Sequence, residues 1–155
     1  QPLTLSMNYY LYPALLEDQE RYGTYILNQI LEDWGYMLDQ GATTFWETIK
    51  GAADFNGAGS LSHSWAALPV YIYQACLLGI RPLSPGFKTF VISPFAGNLT
   101  DAKGEIPTPH GPIKVAWKKL HETYQMHVEH PKELKPEIQI KDSQRKKWDI
   151  DTNIY

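Results

Sequence analysis

The chain has 155 residues, of which 43% are apolar, 20% charged and 13% aromatic, a balance typical of folded globular proteins and not of disordered ones. The single cysteine, Cys76, excludes an internal disulfide framework. The net charge of −3 combines −6 over residues 1–80 with +3 over residues 81–155. Because the densest basic run is only Arg145-Lys146-Lys147, we expect no nucleic-acid partner.

The sequence contains neither a clear membrane-spanning segment nor a recognisable signal peptide. The longest apolar stretch, residues 66–80, is interrupted by Pro69 and Gln74 and is too short to span a bilayer as a helix. We therefore expect no membrane insertion. The first residues lack a basic start followed by an apolar run, so no signal peptide is predicted, and the absence of an initial Met suggests a trimmed or partial chain. Periplasmic, secreted and cytoplasmic locations all stay open.

Helical periodicity dominates the first half of the chain. Apolar residues recur at intervals of three and four at Leu11, Ala14, Leu15, Tyr22, Tyr25, Ile26 and Ile30. This pattern predicts two short amphipathic helices. A third short helix is predicted from about Phe45 to Gly51, with Thr44 as its cap. The glycine-rich segment 51–60 has no periodicity and is predicted to be a loop, of the kind that often lines a site.

A further helix is predicted from Ser62 to a glycine stop at Gly79, with a possible kink at Pro69. Its residues are apolar nearly all round, and a helix of that kind is normally buried between other elements. The first half of the chain offers few elements to cover it. We therefore expect that a larger helical body is missing.

The second half alternates with a period of two, as half-buried strands do. Alternation is clear over residues 113–118 and 124–129, and shorter strand segments are predicted at 87–92 and 137–140. These segments predict an antiparallel sheet folded into a small β-sandwich. The expected fold class is therefore α+β, with helices in residues 1–82 and the sandwich in residues 83–155.

Glu47 is the carboxylate of greatest chemical interest, because it follows Trp46 and precedes a glycine-rich loop that contains Asp54. A carboxylate beside an aromatic ring can serve as a general acid or base. The spacing allows another interpretation. Thr44 and Glu47 also have the spacing of a capping box, in which the glutamate binds the backbone at the start of a helix and performs no chemistry.

His63, Trp46 and Trp65 are candidate sugar contacts. His63 lies at a predicted helix N-terminus and could share hydrogen bonds with a ligand, or it could be a local cap or a core residue. Trp46 and Trp65 could each present a flat apolar face to a sugar ring, or they could belong to the core.

The sequence predicts neither a metal site nor a cofactor. The other four histidines lack acidic or cysteine partners at zinc-site spacing, and they are His110, His121, His127 and His130. No phosphate loop, dinucleotide fingerprint or Gly-x-Ser-x-Gly elbow is present.

Three ordered motifs together resemble one family, the α-L-rhamnosidases of glycoside hydrolase family 78. They are GATTFWE at 41–47, SLSHSWAALPVYIYQACLLGIRPLSPGFKTFVISP at 60–94 and PTPHGPIKVAW at 107–117. The resemblance covers about residues 1–130. It implies that residues 1–82 are the last helices of an incomplete (α/α)6 toroid and that a β-sandwich domain follows.

The resemblance also implies roles for single residues. It makes Glu47 the general base that activates water in an inverting hydrolysis, and His63 a hydrogen-bonding partner of the rhamnose. Inversion needs a second carboxyl group as general acid. In the family this acid lies upstream, outside the chain, and neither Asp54 nor Glu32 matches a motif position. The implied partners are a rhamnoside and either the remainder of the enzyme or a second copy of the chain, and the chain alone is expected to be inactive.

One departure affects substrate preference: many members have Asn before the motif histidine, where this chain has Ser62. Two other functions stay open beside the hydrolase. The chain could be a non-catalytic carbohydrate-binding module that uses Trp46, His63 and Trp65, or a structural module without activity of its own.

Overall fold

The computed structural model describes residues 3–155, apart from the side chain of Asp142. It divides into two compact units, residues 1–71 and 72–155. The α-helices are α1 (Asn8–Leu15), α2 (Gln19–Asp39), α3 (Leu68–Ile72) and α4 (Asp142–Arg145). The strands are β1 (Ile80–Pro82), β2 (Thr89–Ile92), β3 (Asp101–Ile106), β4 (Ile113–Leu120), β5 (Thr123–His130), β6 (Lys135–Ile138) and β7 (Trp148–Ile154).

Helix α2 organises the first unit. Its 21 residues place an apolar stripe on one face, since the buried positions recur every three or four residues at Gly23, Ile26, Ile30, Trp34 and Met37. The side chain of Asp18 caps its start by accepting a hydrogen bond from the Arg21 amide. Gly41, in the left-handed conformation with φ +79°, ends it. The two predicted helices are present, but the second is much longer than expected.

The helix predicted from Phe45 to Gly51 is wrong. Residues 43–50 form bends and turns, and helical backbone appears only as a short 3-10 turn at Gly51–Ala53. The amide of Glu47 donates to the carbonyl of Ser60 at 2.9 Å, and the amide of His63 donates to the carbonyl of Phe45 at 2.7 Å. Backbone groups that a helix would pair locally are therefore paired with a distant segment.

The apolar segment after Ser62 is helical in parts, with a break at Ala67 after the first turn and a change of helix type at Tyr73. The helical parts are a 3-10 turn at Ser64–Ala66, helix α3 and a π-helix at Tyr73–Leu77. Pro69 is the second residue of α3, so it helps to start that helix. Gly79, with φ +72°, ends the run as predicted.

The second unit contains two sheets packed around one core. The strand orders are β1-β2-β6 and β3-β4-β5-β7. The largest fully buried core side chains, contributed by both sheets, are Phe90, Ile92, Ile113, Met126 and Val128. The α+β class, with a helical region before a β-rich one, is thus confirmed.

The expectation of an entirely antiparallel arrangement is wrong at two strand pairs. Strand β2 pairs with β6, and β5 pairs with β7, in parallel. A parallel neighbour needs a crossover connection of a dozen or more residues. Residues 131–147 supply it, since after β5 the chain adds β6 to the other sheet and returns through α4 before β7 starts. The domain boundary expected at 82/83 stays a prediction.

Candidate active site

The segment that carries the candidate residues is a two-stranded ribbon formed by residues 44–47 and 60–63. The two backbone hydrogen bonds that join Glu47 to Ser60 and His63 to Phe45 define it. The hydroxyl of Thr44 adds a third link by donating to the carbonyl of Leu61. The ribbon brings Glu47 and His63, which are 16 positions apart in the sequence, onto neighbouring segments.

The carboxylate of Glu47 is held by the ribbon itself. Its Oε2 accepts a hydrogen bond from the Ser60 amide at 3.2 Å, while its backbone carbonyl accepts one from the Leu5 amide at 2.8 Å. Within residues 3–155, no hydrogen bond to Oε1 is formed. The side chain is half-buried. One carboxylate oxygen is therefore anchored, and the other keeps its capacity to accept a hydrogen bond.

The capping-box interpretation of Glu47 is wrong. No helix begins at Thr44, and the Thr44 hydroxyl binds Leu61 across the ribbon instead of a backbone amide within its own turn. Because Glu47 binds the Ser60 amide, its carboxylate takes part in tertiary structure and not in a helix cap.

His63 does not act as a cap either. It precedes the three-residue turn Ser64–Ala66, and its side chain makes no capping hydrogen bond. Its backbone alone is used in that turn, where its carbonyl accepts from the Ala66 amide at 2.9 Å. The imidazole is half-buried, so it is neither a core side chain nor fully open to solvent.

The two tryptophans occupy different environments. Trp65 is 66% exposed, so it does not belong to the core that this chain forms. Trp46 is half-buried, and its ring and the side chain of Leu61 both lie against Gly51, since a Cβ placed on Gly51 would be only 2.7 Å from an atom of each. Of the two rings, that of Trp65 is the more exposed.

The glycine loop between the two arms of the ribbon closes tightly, a feature the sequence only partly revealed. Three successive amides, those of Gly57, Ala58 and Gly59, donate to the carbonyl of Asp54. Phe55 and Asn56 follow each other in the left-handed region, with φ of 52° and 59°. Because this conformation is costly for residues with a side chain, the loop is held by its surroundings.

Thr48 is a residue that the sequence analysis missed. It is 1% exposed, and its hydroxyl has no hydrogen-bond partner among the described residues. A buried unpaired hydroxyl is unfavourable, so Thr48 is a locally destabilising feature next to Glu47. A threonine next to a glutamate gives no sequence signal of such burial.

No metal centre or membrane span emerges from the part of the chain that the structure describes. Among residues 3–155 no three histidine, cysteine or acidic side chains come close enough together to hold a metal ion. None of the helices in the same range has both the length and the apolar character needed to cross a bilayer.

Comparison with known proteins places the chain in a family. The bacterial alpha-L-rhamnosidase C-terminal domain matches residues 79–154. An alpha-L-rhamnosidase of Alteromonas sp. is 31% identical over 120 residues, covering 73% of this chain and 13% of the relative. One of Formosa agariphila is 31% identical over 137 residues, covering 84% of this chain and 15% of the relative.

The fold agrees with these sequence matches. The crystal structure of a GH78 family rhamnosidase of Bacillus sp. GL1 matches 98% of this chain and 16% of its own, with a TM-score of 0.81 and 26% identity. The chain belongs to the α-L-rhamnosidases of glycoside hydrolase family 78 and corresponds to their C-terminal part. It spans 13 to 15% of the length of the two curated relatives described above. The resemblance identified from the three sequence motifs is confirmed.

Proposed function

We propose that the chain is the C-terminal portion of an inverting glycoside hydrolase that releases terminal α-L-rhamnose, and that Glu47 is its general base. The observation that carries this proposal is the state of the Glu47 carboxylate. One oxygen is fixed by the Ser60 amide and the other has no hydrogen-bond partner among the described residues, so it can accept a hydrogen bond from a water and take its proton.

The neighbouring side chains support a sugar site around this carboxylate. The ribbon places His63 on the segment next to Glu47, and the imidazole is half-buried with no capping bond to hold it. The exposed ring of Trp65 follows two residues later. In this proposal His63 hydrogen-bonds the rhamnose, while Trp46 and Trp65 supply apolar surface to the sugar.

The general acid is proposed to lie upstream, in the remainder of the enzyme. An inverting mechanism places its two carboxyl groups about 6.5–9.5 Å apart, on opposite faces of the sugar. No residue of this chain other than Glu47 matches a catalytic motif position, so the chain alone is expected not to turn over substrate.

The first test is Glu47→Gln in the complete polypeptide, assayed on an aryl α-L-rhamnoside. Glutamine keeps the shape and can still accept from the Ser60 amide, but it cannot take a proton. We expect kcat to fall by about 10²–10⁴-fold with an unchanged fold, because that is the usual contribution of a general base. The matched control is Glu122→Gln, an exposed carboxylate in the turn between β4 and β5. Near-normal turnover of Glu47→Gln would defeat the assignment.

A second experiment separates a base from a merely structural carboxylate. Azide needs no deprotonation to attack the sugar, so sodium azide should restore turnover to Glu47→Ala and yield a rhamnosyl azide of inverted configuration. Binding without turnover in the unmodified enzyme, insensitive to Glu47→Gln, would instead favour the non-catalytic carbohydrate-binding module.

A further inference from the structure

The outer face of the four-stranded sheet carries a polar surface that the proposed function does not use. Along β4 the buried residues Ile113, Val115 and Trp117 alternate with the exposed residues Lys114, Ala116 and Lys118. The register of the sheet aligns the exposed side chains in rows across the strands. One row contains Lys103, Ala116, His127 and Asp151, and the next contains Glu105, Lys114, Glu129 and Asn153.

Two neighbouring depressions lie on this face, which we call the outer face. The first, about 670 Å³, is lined among others by Asp101, Lys103, Lys118, Gln125, His127 and Asp151. The second, about 390 Å³, is lined by Pro112, Lys114, Glu129, Asn153, Ile154 and Tyr155. The small side chain of Ala116, between Lys103 and His127 in its row, leaves room for the first depression.

A chain of polar contacts links the two depressions. His127 Nδ1 lies 3.0 Å from Asp151 Oδ2, and its Nε2 lies 3.5 Å from Glu129 Oε1. The other oxygen of Glu129 lies 3.8 Å from Lys114 Nζ. These contacts orient the imidazole and both carboxylates while leaving them accessible, since the Asp151 side chain is 70% exposed.

Tyr155 supplies an aromatic surface at one end of the outer face. Its hydroxyl donates to the carbonyl of Pro112 at 2.5 Å, and its backbone is paired with His130 and Lys132. Gly111 lies beneath the ring's hydroxyl end, since a Cβ added there would come within 3.3 Å of that oxygen. The ring is therefore held in place from its edge, yet the residue is 55% exposed.

The pattern of charges on the outer face indicates which class of ligand it can bind. Its lysines are Lys103, Lys114 and Lys118, and its acidic residues are Asp101, Glu105, Glu129, Asp149 and Asp151. Interleaved charges with an acidic excess disfavour a polyanion, whether a nucleic acid or a chain of uronic acids. The polar rows equally disfavour an apolar protein surface. A neutral sugar has an apolar face for an aromatic ring and hydroxyls for carboxylate, amide and ammonium groups.

We propose that the outer face binds a neutral oligosaccharide, with Tyr155 stacking on one sugar ring and the neighbouring Lys114–Glu129 pair binding hydroxyls of the next. The His127–Asp151 pair lies about 13 Å from Tyr155 along the strand, so it binds hydroxyls further along the oligosaccharide. The proposal goes beyond the proposed function, because it involves none of residues 41–65 and requires no catalysis. It gives the sandwich unit a binding role of its own.

The test is an NMR titration with rutinose, a neutral rhamnose–glucose disaccharide, at millimolar concentrations, with trigalacturonate as the acidic comparison. The 15N-labelled chain carries Leu31→Gln/Leu38→Gln, which removes two exposed apolar side chains of α2 that would favour self-association and lie outside the outer face. We expect rutinose to shift amide resonances of β4, β5 and β7, and trigalacturonate to leave them unchanged. Tyr155→Ala should weaken this binding by about three- to tenfold, the usual contribution of an aromatic contact, whereas Tyr155→Phe should retain it.

The matched control is Tyr10→Ala, which removes a tyrosine that is 71% exposed in the helical unit and should leave the affinity at the outer face unchanged. Unperturbed resonances elsewhere in Tyr155→Ala verify its folding. The proposal is overturned if the outer face shows no shifts, if trigalacturonate binds it as well as rutinose, or if Tyr155→Ala matches the unmodified chain. Shifts confined to residues 41–65 would reject the outer face while leaving the Glu47 proposal intact.

Discussion

At the scale of single residues, the loop that joins the two arms of the ribbon depends on two glycines. At each of them the neighbouring atoms lie too close for any larger side chain. A Cβ on Gly59 would lie 1.9 Å from the carbonyl oxygen of Gly51, and one on Gly51 would collide with the side chains of Trp46 and Leu61. Gly51 also has φ +55°, a conformation that favours glycine. The anchoring of Glu47 to Ser60 thus rests on residues with no chemistry of their own.

Gly59→Ala is therefore expected to destabilise the protein by about 1–3 kcal/mol, because the backbone must move to relieve the collision. The free energy of unfolding, measured by urea denaturation, checks this. The matched control is Gly35→Ala in the interior of α2, where an added Cβ meets nothing within 4 Å. There alanine should stabilise the helix by about 0.5–1 kcal/mol. Equal effects at the two positions would contradict this account of the loop.

At the scale of elements, hydrophobic periodicity predicted the helices and strands that have a strong local pattern. It failed where the backbone hydrogen bonds join segments distant in the sequence. Helix α2 and strands β4 and β5 have clear periods and are present, although α2 extends well beyond the short helix expected. Residues 45–47 carry a helix-like pattern, but their backbone groups pair with residues 60–63. Tertiary pairing outweighs a local preference whose contribution is small.

The π-helix Tyr73–Leu77 buries the side chain of Cys76. Burial raises the pKa of the Cys76 thiol to about 11, although the nearby Arg81 acts in the opposite direction. Because the thiolate is the reactive form and its fraction falls as the pKa rises, labelling by iodoacetamide near pH 8 should be about a hundredfold slower in the native protein than in urea. The rate should climb as the pH approaches 11.

The same shift predicts a loss of stability at high pH. The unfolded chain releases the thiol proton near the ordinary cysteine pKa, while the folded chain keeps it until about pH 11, so unfolding becomes more favourable between these values. Denaturation midpoints of Cys76→Ala, compared with the unmodified chain from pH 8 to 11, isolate this contribution. Rapid native labelling near pH 8 would show that the thiol is not buried.

At the scale of the whole molecule, the helical unit has many large apolar side chains exposed on its surface. On α2, Leu31 and Leu38 are 73% and 70% exposed and lie two turns apart on one face. Exposed apolar surface of this kind usually marks an interface. Since the chain spans only 13 to 15% of its curated relatives, the remainder of the enzyme is the proposed cover for this face.

Expressed alone, the chain should therefore self-associate and bind a hydrophobic dye such as ANS. The double variant Leu31→Gln/Leu38→Gln should reduce both effects, as measured by sedimentation and dye fluorescence. The control is Leu83→Gln/Ile138→Gln, which removes two exposed apolar residues from the sandwich unit and should change them little. A monomeric chain that binds no dye would reject the proposed interface.

The sequence alone determined the α+β class, the family and the residues worth testing, because periodicity and ordered motifs are local properties of the chain. It left open whether Glu47 caps a helix, and it did not reveal the buried hydroxyl of Thr48 or the alignment of His127, Asp151 and Tyr155 on one face. Only the tertiary structure decided these points. Each depends on which backbone groups pair across long separations, such as Glu47 with Ser60 and β5 with β7, and such pairing is set by the packing of the whole chain.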